Sequence, residues 1–150
     1  MRVLVVEDEP LIAMLVRHAL TRAGHEVVGP VSSVALALRL AQEQPIDLAL
    51  LDIDLGRGGS GVHLARCLHE RQGPPCLFAS GSYDEAHGAC DVALGVLSKP
   101  YGAEDLVLAV AAAEAVLAGA QPVRVPHVME LFCGGLVPAS EHSDHTVNGR

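Results

Sequence analysis

Four short stretches of this chain end in side chains whose chemistry can be combined. Leu48-Ala49-Leu50-Leu51 is an unbroken apolar run that stops abruptly at Asp52. That is the pattern of a buried strand delivering a carboxylate to the edge of a sheet. Glu7-Asp8 follows a β-branched run at residues 2–6, Ser80 follows the run 76–79, and Lys99 lies just past the run 92–97. Carboxylates crowded at one sheet edge repel one another and raise each other's pKa. A divalent cation removes that conflict, and hard oxygen donors with water completing an octahedron suit Mg²⁺ or Mn²⁺. A lysine and a hydroxyl at the same edge complete a cradle for a phosphoryl group, with metal and ammonium neutralising its oxygens and the hydroxyl binding a third. Asp52 is therefore the candidate reactive group.

Such a site requires four distant segments to meet. At 150 residues the chain makes one domain with a real core. Aromatics are only 3% of the residues, so that core must be built from Leu, Val and Ala, which suits helices laid on a parallel sheet. The net charge of -8, with no basic run, argues against nucleic-acid binding. The cysteines are scattered without a CxxC pair, as expected of reduced thiols in the cytoplasm. The N-terminus enters a strand directly, without a signal peptide, and the longest apolar run, 106–113, is far short of a membrane span.

Strands are expected at 2–6, 27–28, 46–51, 76–79 and 92–97. The first helix follows Pro10, carries Ile12, Leu15, Val16, Ala19, Leu20 and Ala23 as one apolar stripe, and stops at Gly24. Ser32 or Ser33 caps a second helix that ends before Pro45, and a third runs from the Gly-rich loop 56–61 to about Gln72. That loop lacks the lysine of a phosphate-binding loop and reads as a flexible connection. Between the fourth and fifth strands only 81–91 remain, room for a short, irregular fourth helix. The last helix spans about 103–118. This alternation predicts a flavodoxin-like (βα)5 doubly wound parallel sheet with strand order 2-1-3-4-5. In that order strands one and three are neighbours at the switch point, so Glu7, Asp8 and Asp52 meet at one edge.

An acidic pair after strand one, Asp52 after strand three, Ser80 after strand four and Lys99-Pro100 after strand five resemble a response-regulator receiver (CheY-like) domain of two-component systems, over residues 1–120. The resemblance implies that Asp52 is the phosphoacceptor, served by a sensor histidine kinase or histidine phosphotransferase. It implies that Glu7, Asp8, Asp52 and the backbone carbonyl of Asp54 hold Mg²⁺, that Ser80 and Lys99 bind the phosphoryl oxygens, and that Lys99-Pro100 is cis. Phe78-Ala79-Ser80-Gly81-Ser82-Tyr83 is similar to the Phe-Ala-Thr-Gly signature of a receiver subgroup nicknamed FATGUY, whose members tend to have a reduced fourth helix. One departure stands out. Most receivers place an aromatic switch residue three positions before the lysine, and here that residue is Val96; Tyr101 is the usual packing aromatic after it. Ser80 and the loop that follows are then expected to reorganise instead, with Asp54 and Ser82 as tuners of hydrolysis.

The expected function is a single-domain response regulator that signals by docking to proteins, not an enzyme beyond its own phosphorylation and dephosphorylation. The alternative is a haloacid-dehalogenase-like phosphatase, with Asp52 as nucleophile and Asp54 as general acid. That motif normally sits at the first strand and is followed by a cap. A pseudo-receiver that is never phosphorylated is disfavoured by the intact acid, hydroxyl and lysine set. The last helix carries Glu114 as its only charge between 106 and 118, so it is buried on more than one side: against a second copy in a homodimer, a partner, or Val128, Leu131 and Phe132 of the tail. Residues 121–150 are expected to be a tail, flexible or docked on that helix. His142 and His145 have zinc-like spacing but no matching ligands.

Overall fold

A computed structural model of the chain describes residues 1–132, so His142 and His145 lie outside the described residues. The elements alternate in chain order: β1 (Arg2–Val6), α1 (Pro10–Arg22), β2 (Glu26–Val31), α2 (Val34–Glu43), β3 (Leu48–Leu51), α3 (Gly61–Glu70), β4 (Cys76–Ser80), α4 (Tyr83–Gly88), β5 (Gly95–Ser98), α5 (Ala103–Leu117) and β6 (Met129–Leu131). The sheet order is β2-β1-β3-β4-β5-β6, parallel through β5 and antiparallel between β5 and β6. The doubly wound fold with order 2-1-3-4-5 is therefore present, with one further strand at its edge.

Apolar clusters fill both faces of the sheet. Val3, Val5, Leu48, Leu50, Leu77 and Leu97 face α1 and α5, while Leu4, Leu51, Phe78 and Val96 face α2 and α3. β3 and β4 bury every residue, as strands covered on both sides must. Among the described residues, no helix is long and apolar enough to cross a membrane.

Several details depart from expectation. β2 continues through Gly29–Pro30 to Val31; it is an edge strand, where a proline removes no ladder bond from the interior of the sheet. β5 starts at Gly95, later than expected, and Val92, Ala93 and Leu94 are buried in the bend that leads into it. The α1 stripe is narrower than its periodicity suggests: Val16, Ala19 and Leu20 are buried, but Leu15 is exposed beside Leu11 and Met14. Ser33 is the α2 cap, its Oγ accepting from the Leu36 amide at 3.2 Å.

The Gly-rich loop is a packed connection rather than a flexible one. A Cβ at Gly58 would lie 2.1 Å from the Ser32 carbonyl oxygen, and one at Gly61 would lie 2.1 Å from the Asp52 carbonyl oxygen. Glycine is needed at these positions for close backbone approach. The segment after α5 joins the sheet as β6, with Val128 and Leu131 packed on the α5 side and Phe132 on the opposite face.

Candidate functional site

The parallel strands all end at the same edge, and each ending side chain inherits its place from the register. Val6 pairs with Leu51, so Glu7 and Asp52 are the next residues out on adjacent strands. The Asp52 amide donates to the Val6 carbonyl at 2.9 Å, and the Gly61 amide donates to the Ile53 carbonyl at 2.8 Å, which fixes the turn after Asp52. Leu51 pairs with Phe78, and Ser80 pairs with Ser98, which sets Lys99 at the end of β5. The Lys99 amide donates to the Ser80 carbonyl at 3.1 Å.

Four of the five expected side chains come together. Carboxylate oxygens of Glu7, Asp8 and Asp52 all lie within 4.8 Å of one another. Glu7 and Asp52 are each only 6% exposed, whereas Asp8 faces solvent. Lys99 Nζ donates to Glu7 Oε2 at 3.0 Å and to Asp52 Oδ2 at 3.1 Å. Burial opposes the charge on Lys99, but its bonds to Glu7 and Asp52 outweigh burial and the ammonium is held above its usual range. Burial pushes the Glu7 carboxyl up to about 7 against the pull of the Lys99 hydrogen bond, and the nearby Asp52 charge adds to the rise. Three carboxyl groups gathered around one ammonium make an edge that could hold a divalent cation.

Ser80 is 3% exposed at the neighbouring strand end, but its Oγ accepts from the Ser82 amide at 3.1 Å rather than touching the acids. Asp54 is exposed, and its carboxylate accepts from the Gly56 amide at 2.9 Å, so it caps the loop. The Lys99–Pro100 peptide is cis. Val96 is fully buried in β5, between Phe78 of β4 and Glu130 of β6.

Some neighbours were missing from the sequence reading. Glu9 Oε2 lies 3.9 Å from Lys99 Nζ, and its place in the run Glu7-Asp8-Glu9 was the available signal. Among the described residues the buried Tyr101 hydroxyl has no hydrogen-bond partner, and burial raises its pKa to about 12. Tyr101, Pro100 and Lys99 line a recess of about 490 Å³ with Leu11, Ile12 and Leu15. Nothing in the periodicity marks that recess, because it forms between α1 and the β5–α5 turn.

Residues 3–111 match the response regulator receiver domain. The TorCAD operon transcriptional regulatory protein TorR of Escherichia coli O157:H7 is 31% identical over 111 residues, which cover 72% of this chain and 47% of that protein. The uncharacterized transcriptional regulatory protein YrkP of Bacillus subtilis is 33% identical over 108 residues, covering 70% of this chain and 46% of YrkP. This chain thus spans about half the length of these curated relatives. Among solved structures, a response regulator receiver domain protein from Clostridium thermocellum superposes with a TM-score of 0.65 at 28% identity, over 73% of this chain and 90% of that one. Profile, relatives and fold agree along the same stretch that builds the acidic edge, and this chain belongs to the response regulator receiver domain family of two-component systems.

Proposed function

We propose that Asp52 accepts a phosphoryl group from a phosphohistidine on a sensor histidine kinase or histidine phosphotransfer protein. In that step an Asp52 carboxylate oxygen forms the new P–O bond as the P–N bond breaks. The electron pair of the P–N bond stays on the imidazole, which leaves neutral when its other nitrogen carries a proton. The observation that carries this reading is the Lys99 ammonium, within 3.1 Å of Asp52 Oδ2 and 3.0 Å of Glu7 Oε2 at a parallel-sheet edge. It neutralises negative charge where phosphoryl oxygens would collect. Ser80 supplies the remaining donor by turning its hydroxyl toward the phosphoryl group. Asp52 is only 6% exposed, so a protein donor must dock on the surrounding surface to bring its phosphohistidine to it.

The donor set fits Mg²⁺ or Mn²⁺: three carboxylates within 4.8 Å, all hard oxygens, with one of them open to solvent. Glu7, Asp8 and Asp52, with the Asp54 carbonyl, would hold the ion. When bound, the cation supplies positive charge against the phosphoryl oxygens and the acids. Hydrolysis of the resulting acyl phosphate returns the domain to its starting state, and Asp54 and Ser82 tune that rate.

Leu11, Met14 and Leu15 form an exposed apolar strip on α1 beside the recess under Tyr101. This strip supports docking of the phosphohistidine-bearing partner next to Asp52. The domain then signals by protein–protein docking in the cytoplasm. The signature Phe78-Ala79-Ser80-Gly81-Ser82-Tyr83 supports the FATGUY subgroup. A homodimer through α5 would have to use the surface around exposed Leu117, since Val128 and Leu131 join the cluster that α5 buries. The phosphatase alternative has less support, because the Asp54 carboxylate is engaged with the Gly56 amide rather than set beside Asp52 as a general acid.

The test is incubation with a small-molecule phosphodonor and Mg²⁺, followed by intact mass under acidic quench. A single-phosphoryl adduct on the wild type and none on Asp52→Ala is the expected result. An adduct retained by Asp52→Ala, or no adduct on either, removes the reading.

A further inference from the structure

Beyond the five parallel strands, residues 128–132 are built onto the sheet rather than resting on it. β6 pairs with β5 through Gly95↔Leu131, Val96↔Glu130 and Leu97↔Met129. Two backbone bonds extend the pairing at its ends: the Ser98 amide to the Val128 carbonyl and the Phe132 amide to the Leu94 carbonyl, both 2.8 Å. Gly95 is what permits this approach, since a Cβ there would lie 2.2 Å from the Glu130 carbonyl oxygen. The edge of β5 is thus shaped to receive a strand.

One side chain of that strand is held from α4. Glu130 Oε2 accepts from the Tyr83 hydroxyl at 2.5 Å and pairs with His87 Nε2 at 2.9 Å. The His87 ring lies 4.3 Å from Tyr83 and meets the edge of Phe132 at 5.3 Å. Tyr83 and His87 are one helical turn apart, so a six-residue helix holds β6 through a single carboxylate. That helix hangs in turn from Ser80. The Ser82 amide donates to Ser80 Oγ, and the Ala86 amide donates to the Ser82 carbonyl at 3.1 Å. Tyr83, His87 and Glu130 are all about half exposed, so the hold is reversible rather than a core contact.

We propose that residues 128–132 are a releasable latch over the β5 edge, held by Tyr83 and His87 on Glu130 and loosened when Asp52 carries a phosphoryl group. This rests on Asp52 being the acceptor. Turning the Ser80 hydroxyl toward the phosphoryl group withdraws the acceptor of the Ser82 amide, α4 shifts, and Tyr83 and His87 lose their aim at Glu130. The bared edge is the output surface. Its occupant is an extended segment of a partner carrying an acidic residue between apolar neighbours, the pattern of Met129-Glu130-Leu131-Phe132. Backbone bonds to β5 give such a segment its hold, while Tyr83 and His87 select the acid.

The experiment is amide hydrogen exchange by NMR on the full chain, with and without Mg²⁺ and beryllofluoride as the phosphoryl mimic. Exchange at Ser98 and Phe132 accelerates by roughly tenfold or more when the mimic is added, while β1 and β3 amides keep their protection. Glu130→Ala gives the same acceleration without the mimic, and Asp52→Ala gives none with it. A synthetic peptide spanning residues 127–132 binds the mimic-loaded protein and not the free one. If resonances around Asp52 and Lys99 shift with the mimic while Ser98 and Phe132 exchange stays the same or slows, the latch is overturned and the phosphoacceptor reading survives. If nothing around Asp52 and Lys99 responds, both are overturned.

Discussion

Lys99 Nζ stands 3.1 Å from Asp52 Oδ2, joining the end of β5 to the end of β3 across the strand between them. The same ammonium also serves Glu7, so replacing Lys99 strands two buried acids at once. Lys99→Gln is expected to slow phosphoryl uptake from a small donor by about tenfold or more. The fold should lose less than the roughly 3–5 kcal/mol that breaking a buried pair costs, because Glu7 can relieve the repulsion by taking up a proton. Adduct formation over time and urea denaturation check the two halves separately.

Asp8 is the exposed member of the acid cluster and the one with least to do in the fold. In the wild type, Mg²⁺ should raise the melting temperature, and a chelator should reverse the gain. Binding to the native state alone stabilises by mass action, about 2.7 kcal/mol at a hundredfold excess over Kd. Asp8→Asn should keep the metal-free melting temperature and lose most of the gain. Differential scanning fluorimetry across a Mg²⁺ titration measures both.

Gly61 lets the start of α3 approach the backbone of Asp52. With a Cβ only 2.1 Å from the Asp52 carbonyl oxygen, Gly61→Ala must displace the turn that carries the acid. A stability loss of about 1–3 kcal/mol is expected, as for other overpacked sites. Phosphoryl uptake should fall with it, whereas Gly81→Ala, whose added Cβ meets nothing within 4 Å, should change stability little.

Asp54 caps its own loop, so Asp54→Asn should leave phosphoryl uptake on Asp52 intact and change the adduct's lifetime by less than about tenfold. No turnover of a phosphomonoester should accompany either form. A phosphomonoesterase activity lost in Asp54→Asn would restore the phosphatase alternative.

The contact between α4 and β6 should depend on pH in a defined sense. The Tyr83 hydrogen bond, with that of His87, holds the Glu130 carboxyl below its usual range. Its contribution is then complete above the ordinary carboxylate value and lost as pH falls through the depressed folded value. Tyr83 is held above its usual range by the same bond, so its contribution is complete below its ordinary value and lost as pH rises through the raised one. Nuclear Overhauser contacts between His87 and Phe132 should therefore persist at neutral pH and fade toward both extremes. In Glu130→Gln the acid-side loss should disappear.

The strand order and the meeting of Glu7, Asp8, Asp52 and Lys99 were legible because parallel strands covered on both faces announce themselves as apolar runs, and the polar residue at the end of each run has one place to go. Ser80 was legible as a position but not as a partner, since its bond to the Ser82 amide depends on a turn that no periodicity encodes. The Gly-rich loop looked loose because glycine is permissive; at Gly58 and Gly61 it is there for close packing instead. β6 falls in the stretch expected to be a tail, not a strand. Three residues are too few to display alternation, and only the tertiary fold places them beside Gly95.

β6 also changes what the molecule presents to its own copies. A bare β5 would end the sheet in a row of unpaired amides and carbonyls between buried Val96 and Leu97, a template for edge-to-edge growth. Among the described residues, β6 moves the boundary out to a three-residue strand with a carboxylate at its centre, too short and too charged to template another. The short strand at this edge is therefore also a guard against aggregation, and a chain shortened before Met129 should precipitate at concentrations that the intact protein tolerates.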